Sequence, residues 1–385
     1  MKIKWYKPKQ NYFVVSFILL FLNASLINSC TPVSNKLGGT IENHGPNFTE
    51  TPQLIATIQQ TDKTTIITSN SLKTTPSSEL SAHLIFSNQK TYLVKRILTI
   101  TNGGADIIAL RIWLPSITNW DSQKTLSSKP IMSIMPTQLP METSANDISD
   151  YWEIRKNPSS NQSITMTQEY LVEVFQTELL TDNLTILPYN QSDTEYQRYT
   201  KAENLIEADA PEIINMAKNL AASEDNPYRL AKIFYEYVNN SLNYQSIEGI
   251  GGALFALEQG YGECGDYAAL FVALCRATGI PARPVIGSWA PTGDYHVWAE
   301  FYLEGIGWIP VDPTLGPKDG HNTFGKIDNQ RIIFNKTFNI ELEPKPHLIE
   351  PIADLFQTYY WELEISSGDP KKVTVNLDYE LTEQK

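Results

Sequence analysis

One cysteine of this chain lies where a nucleophile could be made reactive. Cys264 sits in a glycine-rich stretch, Gly260–Tyr267, directly before an almost wholly apolar segment. His296 and Asp312 follow it in that order, each in a segment rich in apolar and aromatic residues. A thiol, an imidazole and a carboxylate can serve as nucleophile, general base and orienting group. The three residues therefore suggest thiol-based acyl transfer.

The segment that follows Cys264 predicts a buried helix with the cysteine at its start. It is apolar on nearly every face from about Gly265 to Thr278, and Gly279 and Pro281 end it. The N-terminus of a helix stabilises a thiolate, and its free backbone N–H groups can receive an oxyanion. A cysteine at a helix start is also a common structural feature, so this position alone leaves both interpretations open.

Two strands predicted around His296 and Asp312 place these residues on one side of a hairpin. The apolar residues alternate along the chain, and they are Val297, Ala299, Phe301 and Leu303 in the first strand and Ile309 and Val311 in the second. The turn Glu304–Gly307 makes the two strands antiparallel. If the apolar residues share the buried face, His296 and Asp312 share the other face and fall diagonally beside each other.

The same residues allow other interpretations. A lone histidine in a strand is more often structural, although a facing aspartate and an upstream cysteine favour a functional one. The three residues could also bind a metal, but no fourth ligand lies at a useful spacing, so neither a metal nor a cofactor is expected. Cys275 is expected to be a small buried hydrophobe, and Arg283 a structural ion-pair residue.

The stretch Tyr261–Thr314 resembles the core of the transglutaminase-like superfamily. The segments that carry the resemblance are Gly262–Ala268, Arg276–Arg283, His296–Glu300 and Gly307–Thr314. The resemblance implies an α+β fold with a papain/transglutaminase-like core, in which a buried helix bearing the nucleophile packs on an antiparallel sheet. It also agrees with an antiparallel β-sandwich ahead of that core.

By position, the resemblance implies a role for each of three residues. Cys264 is the nucleophile, His296 the general base and acid, and Asp312 the group that orients the imidazole. The implied enzyme cleaves or transfers peptide or amide acyl groups through a thioester, as a cysteine hydrolase (a protease or amidase) or as an acyltransferase. Its expected partner is a protein or peptide substrate. The alternative is a non-catalytic, envelope-associated binding module on the same scaffold, since some members of the superfamily have lost the three residues.

The N-terminal residues resemble the signal peptide of a bacterial lipoprotein. Four lysines precede an apolar stretch, Tyr12–Leu22, and Leu26–Cys30 places a cysteine where a cleavage site belongs. The resemblance implies cleavage before Cys30, lipidation of Cys30, and an exported protein anchored to a membrane with its body on the periplasmic or cell-surface side. An ordinary secretory signal and an uncleaved anchor are the alternatives, although the apolar stretch is short of the roughly 20 residues that a spanning helix needs.

Composition and residue pattern divide the chain into five predicted segments. They are a signal peptide (1–29), an irregular tether (30–81), a β-sandwich domain (82–200), the transglutaminase-like core (201–325) and a C-terminal strand extension that completes the core (326–385). In the last segment, Trp361, Leu363 and Ile365 are expected to face Val373, Val375 and Leu377 across a turn. The net charge of −13 argues against a nucleic-acid partner, because phosphate binding needs a basic face.

Overall fold

The computed structural model describes residues 83–132, 141–144, 147–155, 162–290 and 292–384. The predicted signal peptide, Cys30 and the tether lie outside the described residues, so these three expectations stay predictions. Within the described ranges, no helix is both long enough and apolar enough to span a membrane.

Five α-helices lie between residues 194 and 277. They are α1 (Thr194–Thr200), α2 (Pro211–Ala221), α3 (Pro227–Ser241), α4 (Gly252–Gln259) and α5 (Cys264–Ala277). Helices α2 and α3 begin at prolines, whose fixed φ suits the first helical position and whose missing N–H costs nothing there. At the start of α3, the side chain of Asn226 accepts a hydrogen bond from the backbone N–H of Arg229 at 3.1 Å. Single-turn 3₁₀ helices occur at Pro317–Asp319 and Pro370–Lys372.

Strands flank this helical region on both sides in the chain. They are β1 (Leu84–Asn102), β2 (Asp106–Pro115), β3 (Gln123–Met132), β4 (Met141–Ser144), β5 (Asp147–Arg155), β6 (Gln162–Leu179), β7 (Asn243–Tyr244), β8 (Tyr261–Gly262), β9 (Ala282–Trp289), β10 (Tyr295–Leu303), β11 (Gly307–Val311), β12 (Lys326–Ile327), β13 (Arg331–Asn335), β14 (Ile340–Glu341), β15 (Ile352–Ala353), β16 (Tyr360–Ser367) and β17 (Val373–Gln384).

Two antiparallel sheets pack face to face as a β-sandwich. One has the strand order β12-β6-β1-β17, with β3 also paired to β6, and the other has the order β16-β2-β5-β4. Their apolar side chains meet in one core that includes Ile100 of β1, Leu110 of β2 and Trp152 of β5. Alternation along each strand buries one face in this core. The prediction of an α+β fold that includes an antiparallel β-sandwich is confirmed.

A separate four-stranded sheet supports the buried helix α5. Its order is β11-β10-β9-β13, and every residue of α5 from Gly265 to Arg276 is buried. The face of β10 that carries Val297 and Phe301 packs on α5, as the alternation predicts. On the other side, Phe334 of β13 packs against the sandwich strands β1 and β6. The sheet is therefore covered on both faces, and its polar side chains must find partners inside the protein.

The strands after residue 326 are divided between the two layers. Strand β13 pairs with β9 and extends the sheet that carries His296, whereas β16 and β17 pair with β2 and β1 in the sandwich. This differs from the expectation that the whole of 326–385 completes the core. The twelve-residue pairing of β17 along β1 explains the difference, since it buries Val373 and Val375 in the sandwich. Strands β16 and β17 thus face each other through the sandwich core and do not form a hairpin.

Candidate active site

Helix α5 begins at Cys264, and Asp266 fixes the turn in front of it. One carboxylate oxygen of Asp266 accepts the backbone N–H of Glu263 at 2.9 Å, and the other accepts those of Gly251 and Gly252 at 2.8 and 2.9 Å. Burial raises the pKa of Asp266, while these backbone hydrogen bonds act in the opposite direction. Asp266 therefore ties the start of α4 to the start of α5, which is a structural role.

Glycine at position 262 lets this turn close. A Cβ atom there would lie 2.6 Å from the Cβ of Asp266, closer than two carbon atoms can pack. The parallel pairing of Tyr244 with Gly262 fixes the turn from the other side. The thiol-bearing residue thus follows a turn that is fixed on two sides, and Cys264 itself is only partly buried.

Tyr244 lies near Cys264, and no motif in the sequence indicated it. Its hydroxyl lies near the backbone N–H of Cys264, and partial burial together with the nearby Cys264 and Glu263 raises its pKa. The side chain is 51% exposed despite this contact. Tyr244 is therefore a solvent-facing neighbour of the thiol and of the N–H group at the start of α5.

The hairpin β10–β11 brings His296 and Asp312 together. Ala299 pairs with Val311, so continuing the register puts Asp312 opposite Trp298 and diagonally beside His296. The Nε2 atom of His296 lies 2.7 Å from an Oδ atom of Asp312. Cys264 is near enough to the imidazole to help raise the pKa of His296. Because Nε2 is paired with Asp312, Nδ1 is the ring nitrogen available to interact with the sulfur of Cys264.

The electrostatics of this group favour a protonated imidazole. Burial lowers the pKa of His296, but the charge of Asp312 and the hydrogen bonds to Asp312 and Cys264 outweigh it and raise that pKa to about 9. Burial likewise raises the pKa of Asp312, but the charges of His296 and Arg331 and their hydrogen bonds hold it below its usual range. The carboxylate is fully buried, so its charge is compensated by protein groups alone.

Arg331 is a fourth member of the group, and sequence reasoning missed it. Its Nη1 donates to the same oxygen of Asp312 at 2.8 Å. Its guanidinium carbon lies 5.0 Å from the ring centre of Trp289 and 5.4 Å from that of Trp298. The signal that could have found it is an arginine opening the apolar strand β13, because a cation in a buried strand needs a carboxylate.

The two indoles that contact Arg331 also flank the imidazole. The ring of Trp289 is stacked on His296 at 5.5 Å between centroids, and Trp298 lies at 6.2 Å in a similar orientation. Trp298 is buried and Trp289 is partly exposed. Both indoles restrict water near the His296–Asp312 hydrogen bond, which strengthens the electrostatic interactions inside the site.

A second buried charge cluster lies on the same sheet. Glu300 of β10 accepts from Arg283 at 2.8 Å and from Lys336 at 2.7 Å. The guanidinium of Arg283 lies 3.8 Å from the ring centre of Trp308. The prediction that Arg283 forms a structural ion pair is confirmed.

Two further observations bear on the sequence predictions. Cys275 is fully buried, and this burial raises the pKa of its thiol, as expected of a small core residue. In the part of the chain that the structure describes, no group of three or more His, Cys, Asp or Glu side chains is arranged to hold a metal ion.

Comparisons with known proteins identify one matching family model and two proteins of related sequence. Residues 214–313 match the family model described as Transglutaminase-like superfamily, a range that contains Cys264, His296 and Asp312 but not Arg331. An uncharacterized protein of Haemophilus influenzae is 28% identical over 230 residues, which is 47% of this chain and 62% of that protein. A protein-glutamine gamma-glutamyltransferase of Pseudomonas aeruginosa is 35% identical over 79 residues, which is 17% of this chain and 12% of that protein.

One solved structure aligns with a longer part of the chain than the family model does. The structure of a proposed cysteine protease from Cytophaga hutchinsonii aligns with a TM-score of 0.57 and 16% identity, covering 78% of this chain and 93% of that one. At this identity the likeness shows a shared fold. Together, the family match and this fold support a transglutaminase-like domain in the chain. The chain spans about three fifths of the length of the Haemophilus protein and a small part of the Pseudomonas enzyme.

Proposed function

We propose that this protein is a cysteine enzyme of the transglutaminase-like class that cleaves or transfers peptide or amide acyl groups through a thioester. Cys264 is the nucleophile, His296 the general base and acid, and Asp312 the group that orients the imidazole. The observation that carries the proposal is the 2.7 Å contact between His296 and Asp312, with Cys264 near enough to the imidazole to help raise its pKa. Cys264 lies at the N-terminus of a buried helix and is itself only partly buried.

The proposed reaction uses each group in turn. In the reactive form Nδ1 of the His296 imidazolium holds the thiol proton, and the sulfur of Cys264 attacks the amide carbon, whose oxygen becomes negatively charged. As the carbonyl re-forms, the C–N bond breaks and His296 gives its proton to the leaving amine. Water or a second amine then loses a proton to His296 and attacks the thioester carbon. The C–S bond breaks, which releases the acyl product and leaves the sulfur as a thiolate beside the protonated His296. Asp312 stabilises the imidazolium at both stages.

The start of α5 supplies the charge stabilisation that this reaction needs. Cys264 is the first residue of α5, so its backbone N–H is not used within the helix, and the helix N-terminus favours negative charge there. The hydroxyl of Tyr244 lies near this N–H group. The oxyanion would accept the N–H, and the Tyr244 hydroxyl is placed to donate to it as well.

Thiol alkylation tests the proposal without knowledge of the substrate. A thiolate held by His296 should react with iodoacetamide at pH 7 roughly tenfold faster than a free cysteine, which is mostly protonated at that pH. The His296→Ala variant should lose the advantage. Mass spectrometry should find the label on Cys264, with the fully buried Cys275 as the internal control. Equal rates in the two proteins would instead support a non-catalytic binding module.

A second experiment separates hydrolysis from transfer. A glutamine-containing protein is offered with and without a labelled primary amine, and ammonia release and label incorporation are both measured. Ammonia release without incorporation identifies a hydrolase, whereas incorporation identifies an acyltransferase. The Cys264→Ala variant is the control, and any activity that it retains does not pass through the proposed thioester.

The N-terminal sequence supports an extracytoplasmic location for this enzyme, with Cys30 as the lipidated residue. The basic residues, the apolar stretch Tyr12–Leu22 and the cysteine at position 30 have the order of a lipoprotein signal. Expression of the Cys30→Ser variant in a bacterial host should move the protein from the membrane fraction to the soluble one. An unchanged distribution would contradict the lipid anchor and leave the active-site proposal untouched.

A further inference from the structure

Arg331 is the charged side chain nearest to the proposed triad that the mechanism does not use. It comes from β13, a strand that follows the last triad residue in the chain and lies outside the family-model match. Its side chain is 3% exposed and its Nη1 lies 2.8 Å from Asp312. A buried arginine needs a carboxylate, but this carboxylate is also the hydrogen-bond partner of His296.

The two cations meet the same atom of Asp312. His296 Nε2 and Arg331 Nη1 lie 2.7 and 2.8 Å from one carboxylate oxygen, while the other oxygen accepts the backbone N–H of Thr314 at 3.1 Å. With both oxygens engaged, the carboxylate plane has little freedom to turn. Arg331 is itself positioned by the two indoles around it, because a planar guanidinium stacks on aromatic faces where an ammonium would not.

We propose that Arg331 is a positioning residue of the triad: it fixes the carboxylate of Asp312 toward His296 and shares the negative charge of the oxygen that both contact. The proposal rests on the proposed function, since it assigns Arg331 a task only if His296 exchanges a proton with Cys264. The positive charge of Arg331 beside Asp312 keeps this carboxylate ionised whether His296 carries a proton or not. The same charge weakens the electrostatic attraction between Asp312 and the imidazolium. His296 can therefore give its proton to a leaving amine.

Several other charged and titratable groups surround this set. Cys264 lies near the imidazole, Tyr235 is close enough to Asp312 for that charge to help raise its pKa, and Asp328 lies 3.5 Å from Nε of Arg331. Asp121, Glu300 and Lys336 line a small cavity together with Arg331. Among the described residues, none of these groups donates a hydrogen bond to the carboxylate of Asp312. If Arg331 is removed, this carboxylate therefore keeps His296 and the backbone N–H of Thr314 as its partners.

The test is a titration of His296 in three proteins. In the intact chain with labelled histidine, NMR should follow the His296 ring, assigned with His296→Gln among only five histidines. Arg331→Gln keeps a hydrogen-bond donor and removes the charge, so the midpoint should rise by about one pH unit. Arg331→Lys keeps the charge and should stay within a few tenths of a unit of the original midpoint. A folded Arg331→Gln protein with an unchanged midpoint would overturn the proposal.

The lysine variant also decides the case if Arg331→Gln does not fold. An ammonium offers one mobile donor in place of the planar guanidinium, so the rate of Cys264 alkylation should fall about threefold or more with Arg331→Lys. A lysine protein with the original rate and midpoint would make Arg331 an ordinary structural cation. Arg111→Gln is the matched control, because Arg111 is a buried arginine 2.9 Å from Glu362 in the sandwich. It should lower stability and leave the His296 midpoint in place, and an equal shift there would also overturn the proposal.

Failure of this inference and failure of the proposed function give different results. If alkylation of Cys264 in the unmodified protein does not depend on His296, the proposed function itself is wrong. If it does depend on His296 while Arg331→Gln leaves the midpoint in place, only the role of Arg331 is wrong.

Discussion

Two buried carboxylates lie on the same face of the four-stranded sheet, and they are held by different kinds of cation. Glu300 has two fixed cations, Arg283 and Lys336. Asp312 has one fixed cation, Arg331, and one titratable partner, His296. Both clusters are buried, and each has an arginine against an indole ring. Burial, charge and aromatic packing are therefore common to both.

The difference lies in which cation lies near a thiol. In both clusters burial opposes ionisation of the carboxylate, and in both the surrounding cations lower its pKa overall. At Glu300 this balance involves the guanidinium of Arg283 and the ammonium of Lys336, and burial lowers the pKa of that ammonium. At Asp312 one of the two cations is an imidazole whose pKa is raised to about 9 and which lies near the thiol of Cys264. A buried ion cluster is thus a candidate for catalysis only when one member is titratable and reaches a nucleophile.

The largest effect is expected from Asp312→Asn. A neutral amide cannot stabilise the imidazolium, and it leaves Arg331 buried without a counter-charge. The alkylation rate of Cys264 should fall about tenfold or more, toward that of a free thiol, and the free energy of unfolding should fall by about 3–5 kcal/mol. Iodoacetamide kinetics and urea unfolding measure the two effects. Unchanged alkylation in folded protein would mean that the two clusters do not differ in function.

Glu300→Gln should lower the free energy of unfolding by a similar amount without changing the reactivity of the Cys264 thiol. It leaves Arg283 and Lys336 buried beside a neutral side chain, which costs about 3 kcal/mol or more in the free energy of unfolding. The alkylation rate of Cys264 in the folded fraction should stay within about twofold of the original, because His296 keeps Asp312. A loss of alkylation equal to that of Asp312→Asn would remove the distinction between the clusters.

The pH dependence of stability should also distinguish them. The pKa of His296 is raised from 6.5 to about 9 in the folded protein, so its contribution is fully present below pH 6.5 and is lost as the pH rises through 9. The free energy of unfolding should fall by on the order of 3 kcal/mol across this window. Urea unfolding at half-unit pH steps measures the slope. His296→Gln should flatten the curve, and a slope that persists in this variant belongs to other groups.

The same comparison shows how far the sequence could predict the site. Cys264, His296 and Asp312 could be placed because helix and strand periodicity is local: glycine turns precede the helix, and alternation puts His296 and Asp312 on one face. Arg331 could not be placed, because the pairing of β13 with β9 is a contact between segments separated by some forty residues. No turn connects these strands, and only the folded sheet fixes their register.

The fold shows the same limit. The sandwich strands β1, β2 and β6 were predictable from alternation, whereas the partners of β16 and β17 were not. Apolar residues of β16 and β17 are separated by a short turn in the chain, which favours a hairpin on local grounds. The structure places them in opposite sheets, because each covers an open edge of the sandwich. Short helices such as α4 were also missed, since eight residues give too little periodicity.

The smallest effect, and the sharpest contrast with Arg331, is expected from Arg283→Lys. Two nitrogen atoms of Arg283 contact one oxygen of Glu300 at 2.8 and 2.7 Å, and its guanidinium stacks on Trp308. A lysine keeps the charge but loses the planar stack, so the free energy of unfolding should fall by about 1–2 kcal/mol. The alkylation rate and its dependence on His296 should not change, whereas Arg331→Lys should slow alkylation. Because both clusters receive the same arginine-to-lysine substitution, a difference in the alkylation rate reflects the titratable partner of Asp312. Equal effects of the two substitutions on alkylation would show that arginine packing has the same role in both clusters.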